Sequence, residues 1–112
     1  MELVDIAGPV TIHLHYRKLQ AICPVTKALD TYNVEIELIS KGQKTVELRS
    51  LAGYLKKFHA VEILCESLAY QIMCDLAVLR IFFLVKVNLH QYASEEVEMN
   101  AIATYHEDTS DS

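Results

Sequence analysis

The chain has 112 residues, 52% of them hydrophobic, and a formal charge of −5 at pH 7. This is one domain with enough apolar side chain for a core, which excludes disorder of the whole chain. Its three cysteines, Cys23, Cys65 and Cys74, include no CxxC pair. Neither a zinc site nor a disulfide framework is indicated, and the sparse set suits a reducing cytoplasm. The start, Met-Glu-Leu-Val-Asp, lacks the basic region and apolar core of a signal peptide. The apolar run from Ile81 to Val85 falls far short of the roughly 20 residues that span a bilayer, so no membrane partner is expected.

The acidic balance is uneven. Six of the fifteen acidic residues lie in the last 18 positions, so residues 1–94 carry ten basic and nine acidic side chains. Five basic residues, Lys41, Lys44, Arg49, Lys56 and Lys57, fall within 17 positions. Such a cluster is usually a solvated surface, but it also permits a local basic patch.

Val10, Ile12, Leu14 and Tyr16 alternate with Thr11, His13 and His15, and period two predicts a strand. His13 and His15 have the i, i+2 spacing of possible metal ligands, but without a third ligand nearby they read as strand-face histidines, and no metal is assigned. Cys23-Pro-Val-Thr-Lys-Ala-Leu-Asp30 reads as a loop, in which a thiol and a carboxylate seven residues on suggest a nucleophile with an acid/base partner. A single cysteine is more often a small buried hydrophobe. Tyr32, Val34, Ile36 and Leu38 mark a second strand, Ser40–Lys44 a turn with Gly42 at positive φ, and Thr45–Leu48 a short strand returning as a hairpin.

From Ser50, a candidate N-cap, the period becomes 3.6, with Leu51, Tyr54, Leu55 and Phe58 on one stripe. A second helix is predicted from about Ala60 to Leu79, apolar on most sides. Glu66 within it must be paired, exposed near the helix start, or waiting for a ligand. Arg80–Tyr92 alternates again, with Ile81, Phe83 and Val85 assigned to one face. Val97, Met99, Ala101 and Ala103 mark a last strand. The sum is an α+β fold, an antiparallel sheet with two consecutive helices on one face. Residues 1–106 form one domain, and 107–112 a disordered acidic tail.

Cys23-Pro-Val-Thr, Asp30, Val46-Glu-Leu-Arg-Ser-Leu-Ala-Gly-Tyr-Leu55 and Ile72-Met-Cys-Asp-Leu76 together resemble the QueF family, nitrile reductases with a tunnelling fold (T-fold). That family reads C-P-x-T, an aspartate seven residues after the cysteine, V-E-S-K-S-L-K-x-Y-L, F-H-E-D, and a helix with a pattern like I-M-N-D-L. The match runs without a gap from Glu47 to Leu76 and covers most of residues 20–90. The resemblance implies that Cys23 adds to the nitrile of 7-cyano-7-deazaguanine to give a thioimide and that Asp30 handles the proton. It implies that Glu66 anchors the guanine-like edge, with Glu47 as a second residue of the base pocket.

The departures concern the reduction. Arg49 and Ala52 replace two lysines associated with NADPH, Cys65 replaces a histidine, and the T-P-R-G-G segment is absent. A chain that keeps the thioimide residues without the cofactor motif is similar to the QueF-like archaeosine synthases. Resemblance to that branch implies no cofactor, ammonia as the second substrate, and tRNA carrying 7-cyano-7-deazaguanine in the D-loop as the first. It also implies a homo-oligomeric β-barrel of two stacked pentamers. The alternatives are an NADPH-dependent reductase of the free base and a non-catalytic purine- or RNA-binding relative of the same fold.

Overall fold

A computed structural model describes residues 1–92 and 94–107. Four long strands form one antiparallel sheet in the order β2 (Thr11–Ile22), β3 (Leu29–Ser40), β5 (Phe82–Tyr92) and β6 (Glu98–His106). Alternation carries the pairing: Ile12, Leu14 and Tyr16 stand opposite Leu38, Ile36 and Val34. A one-residue slip would move this whole apolar set to the solvent face. Helices α1 (Leu48–Lys56) and α2 (Cys65–Ala77) cover one face. Leu51, Leu55, Leu68, Ile72 and Leu76 bury there against Val34, Ile36, Val85, Val87 and Leu89. The other face is polar, with His13 and His15 opposite Glu37 and Glu35. The α+β architecture expected from the sequence is therefore present.

Several local readings need correction. Thr45–Leu48 does not return as a hairpin on the preceding strand. Lys44–Val46 forms β4, which pairs with an N-terminal strand, β1 (Leu3–Asp5). The turn before it behaves as expected: Gly42 has φ 101°, and a Cβ there would lie 2.9 Å from Pro9. The cap of α1 is Glu47 rather than Ser50. Its carboxylate accepts from the amides of Arg49 (3.0 Å) and Ser50 (2.7 Å). Ser50 lies one turn inside, where its hydroxyl accepts from the Glu2 amide at 2.8 Å and donates to the Glu47 carbonyl at 2.9 Å.

Helix α2 starts at Cys65, five residues later than predicted. Lys57–Ala60 is a 3₁₀ turn, and Val61–Leu64 runs extended because Ile22 captures its backbone. On β5 the alternation slips: Ile39 pairs with Leu84 but Ser40 with Phe82. The bulge puts Phe82, not Phe83, on the core side with Val85. Phe83 turns outward, where Lys41 Nζ lies 5.6 Å from its ring centre. Residues 108–112 of the acidic tail lie outside the described residues. Glu107, assigned to that tail, donates its amide to the Phe83 carbonyl and pairs with Lys41 at 2.6 Å. No helix among the described residues is long and apolar enough to cross a membrane.

Candidate active site

The end of β2 and the start of α2 meet through Ile22. Its amide donates to the Val61 carbonyl (2.9 Å) and its carbonyl accepts from Ile63 (3.0 Å). Cys23 comes next in the chain and begins a tight loop. The Cys23 amide donates to the Ala28 carbonyl at 2.9 Å, and the Lys27 amide donates back to the Cys23 carbonyl at 2.8 Å. Lys27 adopts φ 61°, the left-handed turn that closes the loop. Its ammonium reaches Glu62 Oε1 at 3.0 Å, so side chains as well as backbone fasten the loop to the segment before α2.

The Val25–Thr26 turn of the loop influences the Cys23 thiol. The Thr26 amide, then the Thr26 hydroxyl and the Val25 amide, hold the thiol below its ordinary pKa, against partial burial and the Asp30 charge, which push it up. Pro24 has no amide hydrogen and stiffens the first step of the turn. A thiol so placed is suited to act as a nucleophile, unlike an inert buried one.

Asp30 lies on β3, opposite Ala21, rather than in the loop. Tyr32, two residues on and therefore on the same strand face, donates its hydroxyl to Asp30 Oδ2 at 3.4 Å. Burial, then the Asp30 charge, pushes the Tyr32 phenol well above its ordinary range, so it remains a donor. In the sequence Tyr32 reads only as a core strand residue. Its i+2 spacing from Asp30 was the signal that could have linked the two.

Cys65, the first residue of α2, is buried, and burial followed by the Glu66 and Asp30 charges pushes its thiol up to about 11. Cys65 is thus a neutral hydrophobe beside Asp30. Glu66 is exposed in the first turn of α2, where a carboxylate is favoured by the helix dipole. Of the three roles open to it, burial in an ion pair is removed. Cys23, Asp30, Cys65 and the first turn of α2 therefore gather at one end of the sheet, rimmed by the exposed apolar side chains of Val25, Leu29, Val61 and Leu64.

Glu47 is elsewhere, at the start of α1, and both its oxygens serve the cap; those amides hold its carboxyl below the usual range. No group of three His, Cys, Asp or Glu side chains that could hold a metal occurs among the described residues.

A loop thiol next to a carboxylate on the adjoining strand defines a candidate nucleophile site on an antiparallel α+β fold. No protein-family model and no curated protein matches this sequence. A solved structure does: the archaeosine synthase QueF-Like in the apo form superposes with a TM-score of 0.73, at 24% identity, over 84% of this chain and 91% of that one. The likeness establishes a shared fold.

Proposed function

We propose that this protein is a tRNA-modifying enzyme of the archaeosine synthase type, which turns the nitrile of 7-cyano-7-deazaguanine in tRNA into an amidine. The observation that carries this reading is the tight Cys23 loop, closed by the Cys23–Ala28 and Lys27–Cys23 backbone bonds and adjoined by Asp30 on β3; the Val25 and Thr26 groups that lower the thiol's pKa agree with it. The shared fold with the archaeosine synthase QueF-Like supports it.

A nitrile is a weak electrophile, so attack needs a thiolate and a proton for the developing nitrogen anion. Asp30 takes the Cys23 thiol proton, the Cys23 sulfur bonds to the nitrile carbon, and Asp30 passes that proton to the nitrile nitrogen, giving a thioimide and an ionised Asp30. Ammonia then bonds to the same carbon, the C–S bond breaks, and the amidine leaves as Cys23 regains its proton. The sum adds one ammonia to one nitrile, with no oxidant or reductant. Glu66, exposed beside the site, accepts from the ring N–H and exocyclic amine of the base. Glu47 would complete the pocket only by sharing oxygens already used by its helix cap.

Among the described residues β2 and β6 are the unpaired edges of the sheet, which supports assembly into a ring through edge pairing, in the two stacked pentamers that the family resemblance implies. The decisive test is intact mass after incubation with 7-cyano-7-deazaguanine. Wild type gains the mass of the base and Cys23→Ala does not; an unmodified wild type would sink the proposal. Ammonium-dependent conversion of nitrile-bearing tRNA, without NADPH oxidation, separates the synthase from a reductase.

A further inference from the structure

The β2 strand contains an irregularity that its composition makes chemically pointed. Tyr16 pairs with Val34 and Leu19 with Tyr32, so one extra residue bulges from β2. In a regular strand one of two adjacent side chains would face the core. Here Arg17 and Lys18 are both exposed, and Lys18 sits at φ 64°, the left-handed conformation that disfavours a non-glycine residue. Two consecutive cations are thus delivered to solvent by a strained backbone.

Opposite the bulge stands the end of α1. Tyr16, Lys18 and Gln20 from the strand and Lys56 and His59 from the helix end line a groove of about 260 Å³. The His59 ring nitrogen Nδ1 hydrogen-bonds the Lys56 carbonyl at 2.7 Å, which fixes the ring and leaves Nε2 for a ligand. No carboxylate lines the groove. Lys27, Lys41 and Lys44 are paired with Glu62, Glu107 and Asp5, whereas Arg17, Lys18 and Lys56, like Lys57 and Lys86 outside the groove, form no ion pair among the described residues. In a chain of charge −5, this is a local concentration of unneutralised positive charge.

We infer that this groove binds the phosphodiester backbone of the RNA substrate, with Lys18 and Lys56 as phosphate contacts, His59 and Gln20 as hydrogen-bonding groups, and the Tyr16 ring as a surface for a base or ribose. The inference rests on the tRNA reading above and adds the surface that holds the RNA. Its geometry suits that reading. Lys18 and Cys23 lie five residues apart on one strand path, about 16 Å, so a chain seated on the lysines can present a nearby nucleotide to the thiol. Two ammonium groups and an aromatic face match a phosphate-rich, partly unstacked loop. A bulge also ends edge pairing, which keeps the groove open if the strand before it meets a neighbouring subunit.

The test compares Lys18→Gln/Lys56→Gln with Lys41→Gln/Lys44→Gln, a control that removes the same charge from paired lysines. Binding of a tRNA transcript is measured between about 50 and about 200 mM salt, together with adduct formation on the free 7-cyano-7-deazaguanine base. The groove variant should bind the transcript about tenfold more weakly, with a log–log salt slope shallower by about 1.5. Its adduct formation with the free base should match wild type, and the control should bind RNA as wild type does. Unchanged RNA affinity in the groove variant, equal losses in both variants, or no RNA binding by wild type would each overturn the inference. RNA binding lost only in the groove variant, with no adduct in wild type, would uphold the groove and overturn the catalytic reading instead.

Discussion

Tyr32→Phe separates orientation of Asp30 from packing of the core. Tyr32 is only 2% exposed, and phenylalanine fills nearly the same volume, so the apolar contacts persist. What disappears is the hydroxyl donor to Asp30 Oδ2. At 3.4 Å that bond is longer than an ordinary O–H···O bond, which limits its worth to about 1 kcal/mol rather than the two or three of a short charge-assisted bond. A loss of this size lowers the melting temperature of a domain this small by about 5 °C. If the same bond holds Asp30 in position to protonate the nitrile nitrogen, adduct formation slows about fivefold while affinity for the base is unchanged. The assay is a quenched intact-mass time course with 7-cyano-7-deazaguanine, run beside a melting curve. A lowered melting temperature with a wild-type adduct rate would refute the reasoning and leave Tyr32 a packing residue. Tyr32→Ala cannot serve, because the cavity alone costs about 3–5 kcal/mol.

Alkylation of Cys23 by iodoacetamide should reach half its limiting rate at a pH below that of an ordinary thiol, and Thr26→Val should move that midpoint upward; an unmoved midpoint would mean that the Val25 and Thr26 amides suffice alone. Cys65 should remain unalkylated at about pH 8 in the same experiment, since its pKa is raised to about 11. The raised thiol also fixes a sign: its contribution to stability is complete below the ordinary value of 9.0 and is lost as pH rises toward about 11, so Cys65→Ala should flatten the alkaline fall in melting temperature across that window. Glu66→Ala should weaken base binding without lowering the oligomer or the melting temperature, because the side chain is exposed; collapse to monomers would identify a structural carboxylate. Glu47→Ala should lower the melting temperature through loss of the α1 cap, and a base affinity that stays at the wild-type value would remove Glu47 from the pocket.

The long strands were legible because each buries one face, and burial on one face writes period two into the sequence. Periodicity misleads where a bulge resets the phase. Nothing in Tyr16-Arg-Lys-Leu19 or Ile81-Phe-Phe-Leu84 signals which residue will be extra; the partner strand decides that. The β1–β4 pair was hidden for another reason. Each is three residues long, too short for any period, and their pairing joins positions some forty residues apart. Ser50 is the better N-cap by residue type, but the Glu2 amide, another long-range partner, takes its hydroxyl, and the Glu47 carboxylate accepts from the first helix amides instead. In the site, the thiol and the carboxylate could be picked out from their types and spacing. Tyr32 could not, since an aromatic on a strand is ordinarily core.

The late start of α2 bears directly on the site. Val61 keeps helical spacing with Leu64 and Cys65, and Ile63 with Tyr70, so a helix from Ala60 would have used their backbone groups internally. Ile22 would then end β2 with an unpaired amide and carbonyl at the edge of the core, a cost comparable to two lost hydrogen bonds. The extended segment satisfies both, and the Lys27–Glu62 pair fastens the Cys23 loop to the same segment. As a result the chain enters α2 at Cys65, next to Asp30, with Glu66 in the exposed first turn. The proposed nucleophile, proton carrier and base anchor are therefore tied within one chain by the pairing at Ile22. Glu47, held at the far helix by its own cap, is the one proposed pocket residue that this tie does not reach, so a contribution from it requires another copy of the chain to bring α1 to the site.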